Sequence, residues 1–97
     1  MSECSVVARI RARPGMAGRV QQEMERLVGQ TRGLDEGCIA YAVFQDREDA
    51  DLFWFVETWE DEEHLETHLA SDHMKAYQKA TGDLVEETRI HRLAKIR

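Results

Sequence analysis

The sequence predicts a single α+β domain in the order β-α-β-β-α-β, an antiparallel sheet carrying its helices on one face. Three observations carry that expectation. Apolar residues alternate with period two in the first, second and last segments. They recur at helical spacing in the segments between strands. Turn-forming Pro14-Gly15, Gly37, the acidic stretch 46–51 and Gly82 separate the segments.

Residues 5–13, SVVARIRAR, place Val6, Ala8, Ile10 and Ala12 on one strand face and Val7, Arg9, Arg11 and Arg13 on the other. Pro14 ends the strand, having no N–H for a ladder. From Met16 the spacing of Val20, Met24, Leu27, Val28 and Thr31 predicts a helix, with Gly33 as its stop. Gly37 introduces a second strand, CIAYAVFQ (38–45), with Ile39, Tyr41, Val43 and Gln45 on one face and Ala42 and Phe44 on the other. The turn DREDAD (46–51) leads into LFWFVETW (52–59), a nearly continuous apolar strand. Such a strand is covered on both faces, by helices on one side and, in so short a chain, by a second copy on the other.

EDEE (60–63) reads as the acidic first turn of a helix with Asp61 as N-cap. Leu65, Leu69 and Met74 carry its apolar side. Ser71 reads as a second N-cap, which predicts a short helix, a bend, and a further helix to about Thr81 ended by Gly82. The last strand, 85–96, alternates Ile90, Arg92, Ala94 and Ile96 with Arg89, His91, Leu93 and Lys95. This is the split-βαβ, or ferredoxin-like, topology over residues 1–97. Closing the uncovered sheet face against a second copy gives a homodimer with a barrel-like core.

Composition narrows the function classes. With 42% hydrophobic and 33% charged residues the chain is globular, and its net charge of −6 offers no basic footprint for nucleic acid. No window approaches the ~20 apolar residues of a membrane helix. The stretch MSECSVVARIRARPG lacks the apolar core of a signal peptide, so a cytoplasmic protein is expected. Cys4 and Cys38, in no C-x-x-C arrangement, read as reduced thiols.

The stretch HLETHLASDHMKAY (64–77) groups His64, His68 and His73. On one straight helix His73 points roughly 140° away from His68, so only a break near Ser71 lets these two converge. His64 and His68 have the spacing of zinc helices, but H-L-E-T-H lacks the glutamate of H-E-x-x-H and both cysteines are distant; no metal is expected. His64 reads as a solvated residue paired with Glu60 or Glu63, and His91 as an exposed strand residue. His68 and His73 are the candidate catalytic residues, because a neutral imidazole accepts a proton near pH 7. Tyr41, Phe55, Glu57, Trp59, Met74 and Tyr77 are the candidate substrate-binding residues. Aromatic walls with one or two bases suit a flat, weakly acidic molecule such as a quinol. The stripe Arg9, Arg11 and Arg13 reads as a solvated or interface face meeting a partner's carboxylates.

RARPG (11–15), EGCIAYAV (36–43), ETWED (57–61), HLETHLASDHMKAY (64–77) and GDLVE (82–86) together resemble the antibiotic-biosynthesis-monooxygenase superfamily, most of all its quinol monooxygenase-type branch. The resemblance spans nearly the whole chain and is most specific in the histidine stretch. It implies a dimeric α+β barrel and a cofactor-free oxygenase in which an electron-rich aromatic reduces O2 after losing a phenolic proton. It implies His68 or His73 as base, with Trp59, Phe55, Tyr41 and Tyr77 as pocket walls. Haem-degrading members are similar to one another in a first-strand asparagine, a second-helix tryptophan and a histidine ten residues on. Here the first strand has no asparagine, and the other two positions fall nearest His68 and Gln78. The alternatives are a non-catalytic dimer binding a small aromatic ligand and an isomerase of a small keto-alcohol.

Overall fold

In the computed structural model, which describes residues 2–97, the chain runs β1 (Cys4–Ala12), α1 (Ala17–Leu34), β2 (Cys38–Gln45), β3 (Leu52–Trp59), α2 (Glu62–Leu69), α3 (Asp72–Thr81) and β4 (Val85–Leu93). The strands pair antiparallel in the order β2-β3-β1-β4, the expected ferredoxin-like arrangement with its second helical region in two pieces.

Central β1 shows why the sheet has two distinct faces. Its residues alternate between buried and half-buried along the whole strand. Cys4, Val6, Ala8, Ile10 and Ala12 lie under the helices, where Val20, Met24 and Leu27 of α1 complete the core. From β3, Phe53, Phe55, Glu57 and Trp59 point the same way and are all buried. The opposite face carries Val7, Arg9 and Arg11, with Trp54 and Val56 from β3 and Phe44 from β2. Phe44 and Val56 stay exposed in the single chain. No helix among the described residues is long and apolar enough to cross a membrane.

Several local expectations change. Helix α1 continues through Gly33 to Leu34 and ends at Asp35, whose backbone is extended and whose N–H bonds the Thr31 carbonyl. The glycine that turns the chain is Gly37, at φ 75°. In β2, Cys38 and Ala40 oppose consecutive residues of β3, so Ile39 is an extra residue in the ladder. That bulge turns Ile39 outward and leaves Tyr41 and Val43 facing the helices. Strand β4 ends at Leu93 because Leu93 already pairs with Ser5, near the start of β1. Finally, the arginine stripe finds carboxylates in its own chain: Arg9 pairs with Glu87, and Arg11 lies 2.8 Å from Asp49.

Gly37 has a second reason to be glycine. A Cβ there would sit 2.3 Å from the His64 Cγ. His64 cannot easily withdraw, since Asp61 holds both its backbone N–H, at 2.9 Å, and its Nδ1, at 2.8 Å. Its partner is thus the helix cap rather than Glu60 or Glu63. Gly37→Ala combines a left-handed backbone with a clash, and costs about 2 kcal/mol. Thermal unfolding should show the midpoint falling by roughly 10 °C.

Candidate active site

The site begins with a broken helix. Helix α2 stops after Leu69, the Ala70 N–H reaching back to the Glu66 carbonyl at 3.1 Å. Ser71 then starts α3: its hydroxyl accepts from the Met74 N–H at 3.3 Å and donates to the His68 carbonyl at 2.6 Å. The break brings His68 and His73 to one place, their ring centroids 5.9 Å apart. What they meet there is Asp35, at the end of α1. The Asp35 carboxylate lies 2.6 Å from His68 Nδ1 and 3.0 Å from His73 Nε2.

A carboxylate only accepts, so the nitrogens facing it carry the protons. His68 is fully buried, and burial pushes its pKa below the ordinary value despite Asp35 beside it. The ring is therefore neutral at pH 7, with its proton on Nδ1. Its Nε2 is buried and has no hydrogen-bond partner among the described residues. The ring packs against Trp59 at 4.7 Å and edge-on against Tyr41 at 5.1 Å.

Beside this cluster, between the sheet and helices α2 and α3, lies a cavity of about 450 Å³. Its walls include Val6, Ala8 and Ile10 of β1, Tyr41 of β2, Phe55 and Glu57 of β3, Leu65 and Leu69 of α2, and Met74 and Tyr77 of α3. Glu86, Glu87 and Arg92 of β4 border it toward solvent. Five of the expected site residues, Tyr41, Phe55, Glu57, Met74 and Tyr77, thus share one cavity. Trp59, His68 and His73 do not line it; they stand behind Tyr41 and Glu57. The helix break converges the histidines as anticipated, but onto Asp35 rather than into the open space.

Glu57 is the polar group deep in the cavity wall. It opposes Val6 on one neighbouring strand and Tyr41 on the other, and is 6% exposed. Its hydrogen bond among the described residues comes from the Trp59 indole N–H, at 3.0 Å. Burial pushes its pKa up to about 7, and the Trp59 bond offsets this only in part. Burial likewise raises the Tyr41 phenol well above its ordinary value, with Glu57 nearby adding to the rise, and the Tyr77 phenol to about 12. One connected arrangement results. Asp35 holds both His68 and His73, His68 packs on Trp59, and Trp59 holds Glu57 at the cavity.

Asp35, His68 and His73 also place three ligating atoms within 4.8 Å of one another, the donor set of a two-histidine, one-carboxylate metal site. Metal on His68 Nδ1 would move the ring proton to Nε2. Ligating histidines almost always donate that second N–H to an acceptor, and among the described residues there is none here. Hydrogen bonding satisfies the cluster better. Asp35 itself carried no signal in the sequence, since it lies in a loop, 33 residues from His68. Only closure of the fold joins them.

Comparison with known proteins agrees with this architecture. The family profile described as antibiotic biosynthesis monooxygenase matches residues 4–80. The "Probable quinol monooxygenase YgiN" of Escherichia coli (strain K12) is 38% identical over 93 residues, covering 84% of this chain and 88% of that protein. Among solved structures, PA3566 from Pseudomonas aeruginosa superposes with a TM-score of 0.94 at 30% identity, over 100% of this chain and 97% of that one. A conserved protein from Methanosarcina mazei Go1 gives 0.89 at 30% identity, over 98% and 94%. The ferredoxin-like frame, the cavity under its helices and these similarities agree: the chain belongs to the antibiotic biosynthesis monooxygenase family, on its quinol monooxygenase-type branch.

Proposed function

We propose that the protein is a cofactor-independent monooxygenase that oxidises a quinol or a related electron-rich aromatic with O2, the ring lying in the cavity and Glu57 taking its hydroxyl proton. The observation that carries this reading is a carboxylate on an apolar cavity wall, titrating at about 7. A quinol hydroxyl near the phenolic value of roughly 10 transfers its proton to such a group at a cost of about 4 kcal/mol. An ordinary glutamate near 4.3 would face about 8. Burial therefore removes roughly half of the thermodynamic obstacle while leaving Glu57 ionised for much of the time at neutral pH.

The remaining chemistry belongs to the substrate. The quinolate passes one electron to O2, giving semiquinone and superoxide. These combine to a peroxide anion, which takes back the proton held by Glu57, and the resulting hydroperoxide loses water to leave a hydroxylated quinone. One oxygen atom enters the product and one leaves as water. The largely apolar walls of the cavity hold the two radicals together. The similarity to YgiN, a probable quinol monooxygenase, supports quinol as the substrate class.

The same reading includes a homodimer. Phe44 and Val56 are exposed on the helix-free sheet face, where a second copy would bury them. One observation favours a second assignment of the base: the buried, unpartnered Nε2 of His68 is an acceptor awaiting a donor. It requires Tyr41 to move aside.

Oxygen uptake by chelator-treated protein supplied with reduced naphthoquinol tests the reaction. Consumption well above the quinol's autoxidation, unchanged by the chelator, is expected. Saturable binding with no uptake would instead identify a ligand-binding protein, and turnover of a keto-alcohol under nitrogen an isomerase.

A further inference from the structure

The Tyr77 hydroxyl is buried and, among the described residues, has no partner within hydrogen-bond distance. Unpaired buried polar groups are rare in folded proteins, and each calls for an explanation. Tyr77 lines the cavity from α3, its ring standing edge-on over Phe55 with centroids 6.1 Å apart at 86°. The hydroxyl of Thr81, close enough to offset part of the burial effect on the phenol, lies beyond hydrogen-bond distance of it and donates instead to the Tyr77 main-chain carbonyl at 2.8 Å. Phe55 and Glu57 sit on the same face of β3, two residues and therefore roughly 7 Å apart along the strand. Glu57 on the sheet and Tyr77 on the helix thus border the cavity from opposite walls, the phenol hydroxyl closed off until a ligand meets it, with Gln78, Thr81 and Thr88 as further polar lining.

We infer that Tyr77 is a specificity-determining residue: its hydroxyl binds the second oxygen of a ring whose first hydroxyl faces Glu57, so the cavity distinguishes a dioxygenated aromatic from a singly oxygenated one. The inference rests on the reading of this cavity as the substrate site. A ring with one oxygen satisfies Glu57 and leaves the Tyr77 hydroxyl unpaired, and sites built around a hydrogen bond discriminate most strongly against ligands that lack it. As the ring is oxidised, its second oxygen becomes a carbonyl. A phenol remains a suitable partner throughout, since it both donates and accepts.

The test is binding without turnover. Tryptophan fluorescence under anaerobic conditions gives the Kd of 1,4-naphthoquinol and of 1-naphthol for the wild type and for Tyr77→Phe. The variant should bind the quinol about tenfold more weakly and 1-naphthol as well as the wild type does or better. Equal weakening of both ligands, or of neither, would overturn the assignment, as would a wild type that binds neither. A melting temperature within a few degrees of the wild type shows that the variant is folded. Because no oxygen is consumed, the result stands apart from the proposed reaction: selective binding with no aerobic turnover would retain Tyr77's role and remove the oxygenase.

Discussion

Glu57→Gln should lower quinol-dependent oxygen uptake by about 10² to 10⁴, the range expected for loss of a general base. The substitution keeps the shape and still accepts the Trp59 N–H, which holds the side chain at 3.0 Å. Substrate binding therefore survives, and the loss falls on kcat rather than KM. The same variant should change the pH dependence of stability in the opposite sense from activity. Glu57 has a folded pKa raised from 4.5 to about 7, so between those values the folded protein binds the proton more tightly than the unfolded chain. Its contribution is most favourable below about pH 4.5 and is lost as pH rises to 7, by about 3 kcal/mol in all. Glutamine has no such dependence. Melting temperatures at pH 5 and pH 8 should show Glu57→Gln gaining on the wild type at the higher pH. A base that weakens its own fold when ionised is the expected trade of stability for activity.

Asp35→Ala should produce the largest loss of stability, about 3 kcal/mol, by stripping the acceptor from two histidine N–H groups, one of them on a fully buried ring. The melting temperature should fall by roughly 15 °C. Asp35→Asn, whose amide oxygen still accepts one of these bonds, should lose less. The effect on turnover separates support from chemistry. His68 touches the cavity only through Tyr41 and Trp59, so loosening it disturbs the placement of Glu57 without removing the proton acceptor. A drop of about tenfold in kcat, with the pH inflection still near 7, is expected of a positioning residue. An inflection that moved or vanished in Asp35→Asn would place the titrating group within the histidine cluster.

Much of this architecture was legible because it is written locally. Strand β3 has the same limits in the chain as in the sequence reading, since an apolar run between an acidic turn and an acidic helix start leaves little choice. Ser71 was readable as a cap because a serine before an aspartate at a break in the apolar spacing has a direct physical use, here realised by its bond to Met74. The errors arise where two signals compete or where none is local. Gly33 and Gly37 are both glycines between the first helix and the second strand, and only the chain's path decides that the left-handed backbone falls on Gly37. The bulge at Ile39 breaks the strict alternation from which its facing was read, and nothing in CIAYAVFQ marks it. Asp35 was invisible for the same reason: a carboxylate in a loop acquires meaning only when two helices from the other half of the chain each deliver a histidine to it. The histidine cluster drew attention to the right region but hid the distinction between holding a site and lining it. Glu57, a carboxylate in an apolar strand, was the quieter signal and the one that faces the cavity.

The proton acceptor is best tested by the pH profile of kcat/KM for oxygen uptake with naphthoquinol, measured for the wild type, Glu57→Gln and His68→Gln. A wild-type rise through pH 7 that persists in His68→Gln and is absent from Glu57→Gln is the predicted result. A rise that survives in Glu57→Gln and disappears in His68→Gln would contradict it and assign the proton to the histidine.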